Sequence, residues 1–146
     1  MKKLLILLIL SFITMCNLYS QNKTIKGRVI AEDFENMIGV SIRINDTIEF
    51  GRTDMNGFFK IDIPVSVKKI SFLCVGMEST TIELVDECNL IELVMMDSYT
   101  YDFMSLKRVE REIKKRFKKL PDIHKKAFEK GIFETECACF IRKFES

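Results

Sequence analysis

The sequence predicts a mainly β protein, a seven-stranded β-sandwich followed by a C-terminal α-helical appendage. Three observations carry that prediction. Between residues 23 and 95, apolar side chains recur at every second position in short runs. That period suits half-buried strands, whose successive side chains leave opposite faces of a sheet. Turn-forming residues separate the runs at hairpin spacing, and no helix-length segment interrupts them, which favours two stacked sheets. After Met96 the apolar period changes to three or four residues, the repeat of an amphipathic helix.

The first strand is expected over residues 23–31, where Ile25, Gly27, Val29 and Ala31 share a phase, and residues 32–38 form a loop. A second strand over 39–46 places Val40, Ile42 and Ile44 on one face, and a short strand follows near 47–52. Thr53, Asp54, Asn56 and Gly57 then make a tight turn. Asp and Asn bond back to nearby backbone, and Gly supplies positive φ. Phe59, Ile61 and Ile63 share the inner face of the next strand, which Pro64 ends because it has no N–H for the ladder. Residues 69–75 are apolar on both faces, as in a central strand, with Cys74 as a small buried hydrophobe. Residues 80–85 and 90–95 supply the last two strands.

In the appendage Ser105 can cap a helix, although Ser105 with Arg108 is no capping box. Leu106, Val109, Ile113, Phe117 and Leu120 line one face, and nearly everything around them is Lys, Arg or Glu. Pro121 is expected to stop or kink this helix, with a second short helix over 122–130 ended by Gly131. In the tail, Phe140, Ile141 and Phe144 suggest packing against the body.

The first twenty residues read as an address. Lys2 and Lys3 precede an apolar run over 4–13, and a polar stretch over 17–21 follows. This is the build of a secretory signal peptide, with cleavage expected after Ser20. The run is shorter than the about 20 apolar residues a spanning helix needs. An uncleaved anchor and lipoprotein processing at Cys16 are the alternatives, the latter disfavoured by Met15, where a small residue is normal. Residues 21–97 then form the sandwich and residues 98–146 the basic helical appendage and tail. Charge divides the same way. Residues 21–104 carry 8 Lys/Arg against 14 Asp/Glu, whereas residues 105–130 carry 11 against 4. An acidic body bears a basic arm.

With the strands placed, a family resemblance emerges. Gly27-Arg28-Val29, then Ile38-Gly39-Val40-Ser41-Ile42, then Thr53-Asp54-Met55-Asn56-Gly57-Phe58-Phe59, then Phe72 through Gly76-Met77-Glu78 occur in an order that resembles the carboxypeptidase regulatory-like domain. The resemblance covers roughly residues 24–96 and implies a transthyretin-like β-sandwich without catalytic activity. Such domains stand beside metallocarboxypeptidases and at the N-termini of TonB-dependent outer-membrane receptors. Met37-Ile38 replaces the usual Pro-Leu, and Met77 stands where an aromatic is common.

Candidate chemistry is sparse. Asp54-Met55-Asn56-Gly57 resembles a calcium-loop fragment, but calcium takes six or more oxygens and an EF-hand ends in a bidentate Glu. With Asp54 at position one, position twelve is Val65. A single histidine, His124, cannot supply a two-histidine zinc site and reads as a surface residue among lysines. Four cysteines outside the leader allow three pairings. A disulfide involving Cys88, Cys137 or Cys139, free structural thiols, and a metal or redox role for the Cys137/Cys139 pair all stand open. No cofactor is expected. The basic helix, through Lys107, Arg108, Arg111, Lys114, Lys115 and Lys118, has three readings: docking on the sandwich, lying on an anionic membrane surface, or meeting a protein partner. Nucleic acid is not an expected partner of an exported chain. The sequence therefore predicts an exported, non-catalytic module for protein–protein interaction in the bacterial cell envelope, in the periplasm or at the outer membrane. Membrane-surface association and a metal-dependent hydrolase are the rival readings.

Overall fold

The computed structural model describes residues 21–45 and 47–142. The expected signal segment, its cleavage after Ser20, processing at Cys16, the strand end at Asp46 and the packing of Phe144 lie outside these residues. The chain forms β1 (Asn22–Ala31), β2 (Ser41–Ile44), β3 (Ile48–Arg52), β4 (Phe58–Pro64), β5 (Lys69–Leu73), β6 (Thr80–Glu83), β7 (Leu90–Met95), α1 (Leu106–Glu129) and β8 (Ile141–Arg142). A three-stranded sheet has the order β4-β1-β7 and a five-stranded sheet the order β3-β2-β5-β6-β8. β1 runs antiparallel to β4 and parallel to β7.

The two-residue period is visible along β4, where Phe59, Ile61 and Ile63 are buried and Phe58, Lys60 and Asp62 are exposed. Ile25, Val29, Phe59, Ile61, Ile91 and Leu93 of the smaller sheet meet Ile42, Ile70, Phe72 and Ile82 of the larger one in a shared core. Phe59 and Phe72 pack edge to face at 5.7 Å between ring centroids. Each such side chain contributes about 1.5–3 kcal/mol by leaving water. Gly27 is needed for backbone approach, because a Cβ there would lie 1.8 Å from the Ile91 carbonyl oxygen of β7.

β7 is buried on both faces, which explains its nearly unbroken apolar sequence. Ile91, Leu93 and Met95 face the inter-sheet core, whereas Val94 and Met96 join a second cluster with Ile30, Leu120, Ala127 and Phe133. That second cluster is where α1 docks.

Four expectations need correction. Among the described residues eight strands are present rather than seven, because the tail supplies β8, which pairs Ile82 with Arg142 and Glu83 with Ile141. β5 ends at Leu73, since a turn at Val75-Gly76 lifts the chain out of the sheet; Val75 is fully exposed and Cys74 is half-buried against the core. β6 likewise ends at Glu83, two residues earlier than expected. Finally, one helix runs through Pro121 instead of two separated by it. An interior Pro costs about 3 kcal/mol. Leu120, His124 and Ala127 are all buried around it, and this packing outweighs the lost backbone bond. The helix ends as predicted at Gly131: Gly131 N–H donates to the Phe128 carbonyl and Ile132 N–H to that of Ala127, a Schellman motif.

Candidate functional site

The turn motif is structural. The Asp54 carboxylate accepts from the backbone N–H groups of Asn56 (2.8 Å) and Phe58 (2.9 Å). The Thr53 hydroxyl donates to the Met37 carbonyl at 2.6 Å and accepts from Val40 N–H at 2.9 Å, tying the turn to the loop before β2. Gly57 has φ +78°, and a Cβ there would sit 2.5 Å from the Val29 carbonyl oxygen. Thr53, Asp54 and Gly57 are therefore spent on the backbone, and Asn56 joins them through its N–H alone.

The basic helix divides into two parts. From Ile113 onward it is anchored by Leu120, Ala127 and the half-buried Ile113, Phe117 and Ile123. Arg116, which the charge pattern alone did not distinguish, faces the body. It ion-pairs with Glu32 after β1, donates to the Asp97 carbonyl at 3.0 Å, and lies over the Tyr99 ring at 4.3 Å. Burial opposes its charge, but the Glu32 and Tyr101 contacts hold its pKa above the usual arginine value. The first two turns are largely exposed. Leu106 is 88% exposed, so the expected docking stripe fails at its first position, and neighbouring Phe103 is fully exposed. Lys107, Arg108, Arg111, Lys114, Lys115 and Lys118 are all exposed. Lys115 pairs with Glu112 within the helix at 2.8 Å. The first turn contains no acidic residue, and Ser105 makes no side-chain cap.

Among the three open cysteine pairings, Cys88 and Cys139 form the disulfide, with Cα atoms 5.7 Å apart. Cys74 and Cys137 are free. Cys137 and Cys139 are thus not joined to each other.

Between α1, β7 and the tail lies a cleft of about 350 Å³. Phe117, Leu120, Pro121 and Phe140 form much of its apolar wall, and Glu92, His124, Glu136 and Arg142 also reach it. Contrary to the surface reading, His124 is only 5% exposed. The helical period places it between Leu120 and Ala127, where its ring packs on Phe133 at 4.7 Å. Its Nε2 donates to the Thr135 carbonyl at 3.0 Å. Burial pushes its pKa below the usual 6.5, against the opposing pull of that hydrogen bond and of Glu92. Glu92, buried in mid-strand, accepts from Glu134 N–H (2.6 Å), Thr135 N–H (2.9 Å) and the Thr135 hydroxyl. Glu136 pairs with Lys125 at 3.2 Å. Arg142 donates to the Val94 carbonyl at 2.6 Å and the Thr80 hydroxyl at 2.7 Å, and burial lowers its pKa to about 10. The signal for Glu92 was present in the sequence as an acid interrupting an apolar strand; nothing marked Arg142.

Among the described residues, no group of three or more His, Cys, Asp or Glu side chains is placed to hold a metal ion. Among the same residues, no helix is long and apolar enough to cross a membrane. In comparisons with known proteins, no family model and no curated sequence matches the chain.

Proposed function

We propose that the chain is an exported, non-catalytic interaction module of the bacterial cell envelope, a transthyretin-like β-sandwich related to the carboxypeptidase regulatory-like domain. The exposed start of α1, through Lys114, is its contact surface for an acidic protein partner. The observation that carries this reading is the overhang itself. Phe103 and Leu106 are exposed beside Lys107, Arg108, Arg111 and Lys114. Cations near a helix N-terminus oppose the macrodipole, so this end of α1 is unfavourably charged until an anionic surface meets it. The Cys88–Cys139 disulfide supports an oxidising compartment, in keeping with the signal-like leader. A second reading, adsorption to an anionic membrane, is favoured by the same pairing of exposed apolar and basic side chains.

A photo-crosslinking residue at position 106, compared with one at the exposed Val85, tests the proposal in producing cells. A discrete protein adduct from position 106, absent from position 85 and abolished by combining Lys107→Glu, Arg108→Glu, Arg111→Glu and Lys114→Glu, is expected. No adduct, or identical adducts from both sites, would sink it. Sedimentation with phosphatidylglycerol vesicles that the same four changes abolish would instead select the membrane.

A further inference from the structure

The cleft between α1, β7 and the tail is distinct from the overhanging surface, and the hydrogen-bonding capacity of its charged groups is unequally filled. Glu92 has its carboxylate filled by three donors from residues 134 and 135. Glu136 is engaged by Lys125. His124 has its Nε2 proton committed to Thr135 and its charged form disfavoured by burial. Arg142 remains. Its two hydrogen bonds go to a carbonyl and a hydroxyl, both neutral; its guanidinium lies 5.7 Å from the Phe117 ring centroid, and the carboxylate that acts on it, Glu32, is already ion-paired with Arg116. A guanidinium carries five N–H donors, so two neutral acceptors leave donor capacity over. A buried cation is normally paired. The surrounding wall of Phe117, Leu120, Pro121 and Phe140 is apolar.

We propose that this cleft is a binding site for a small amphiphilic carboxylate, its head on the Arg142 guanidinium and its apolar body along Phe117, Leu120 and Phe140. The volume, about 350 Å³, lies in the range of small-ligand sites and matches roughly a dozen water-sized volumes at about 30 Å³ each. That suits a carboxylate of roughly ten to twelve non-hydrogen atoms. The carboxylate supplies the counter-charge and the planar bidentate acceptor that a guanidinium favours. Ala138 lines the mouth of the cleft and is exposed, so a large residue there obstructs entry without touching the core.

Decanoate, below its micellar concentration, is the probe. It is titrated into the full chain by calorimetry, with amide chemical shifts locating the site. Saturable binding is expected, with shifts confined to residues around Leu120, Ala138 and Arg142. Decanol is expected to bind about tenfold to a hundredfold more weakly, because it lacks the charge-assisted hydrogen bonds. Arg142→Met should show the same loss, Arg142→Lys a partial recovery, and Ala138→Trp, which keeps the guanidinium, no binding. Decanoate that fails to bind, binds no better than decanol, or binds equally to the Ala138→Trp protein overturns the proposal. The overhang plays no part in this assay, so its result is independent of the partner reading.

Discussion

Cutting the Cys88–Cys139 bond is the sharpest test of how the tail is held. The bridge spans 51 residues of sequence and encloses β7 and all of α1. In the chain-entropy view a loop of that size removes about 4 kcal/mol of freedom from the unfolded ensemble. A domain of this length has a total stability of only about 5–15 kcal/mol, so loss of the bridge consumes a large share of it. The loss should also be locally uneven. β8 is two residues long and pairs only with Ile82 and Glu83; Cys139 stands two positions before it. The tail should therefore open first, and the inter-sheet core afterwards. Urea unfolding followed by circular dichroism, with and without reductant, reads the global effect, and amide exchange at Glu83 and Arg142 reads the local one. Cys139→Ser should match the reduced protein, and Cys137→Ser should match the oxidised wild type. A drop below about 1 kcal/mol on reduction, or an effect of Cys137→Ser as large as that of Cys139→Ser, refutes the assignment.

Three further outcomes follow from the geometry. Gly57→Ala forces a side chain into a left-handed backbone 2.5 Å from the Val29 carbonyl and should lower stability by on the order of 2 kcal/mol, read from the shift in the urea midpoint. Glu92→Ala strands the Glu134 and Thr135 donors and should lower stability by about 2–4 kcal/mol, whereas Asp54→Ala in the exposed turn should lower it less by the same assay. His124 has a folded pKa depressed by burial, so between that value and the ordinary 6.5 the unfolded chain binds the proton more readily. Stability should accordingly fall as pH drops from 7 through this window, with Glu92 and Glu136 sharing the cleft; His124→Gln should flatten that slope in unfolding titrations, and an unchanged slope counts against the assignment.

What could be read without coordinates follows the physics of each signal. The alternation in β4 and the Thr53–Gly57 turn were legible because both are local: a period of two, and side chains that bond their own backbone. Gly131 was legible for the same reason. The continuous helix was not, because Pro121 is a strong local stop signal and only the burial of Leu120 and Ala127 against β7 reveals what overrides it. His124 sat among lysines and read as a surface residue, yet it falls in phase with the apolar stripe, so the period was the better guide than the neighbours. β8 could not be read at all. Two residues carry no period, and their strand exists only because Cys139 and Phe140 bring them beside β6.

The length of α1 itself argues that its first two turns and its remainder answer to different demands. The outer face of the three-stranded sheet cannot stay in water, since Ile30, Val94 and Met96 are nearly fully buried there, and something helical must cover it. That cover needs only the span from Ile113 to Phe133. The helix is 24 residues long, ~36 Å at the usual rise, and its first two turns are largely exposed, with Leu106 almost bare. Extending a helix already nucleated by packing costs little per residue, but crowding Lys107, Arg108 and Arg111 at the positive end of the dipole gives back part of that gain. Folding alone would be better served by acids in that first turn, or by no overhang. On the proposed reading the charge pattern of these two turns serves an outside contact, whereas the charges nearer the body, Arg116 on Glu32 and Lys125 on Glu136, hold the molecule together.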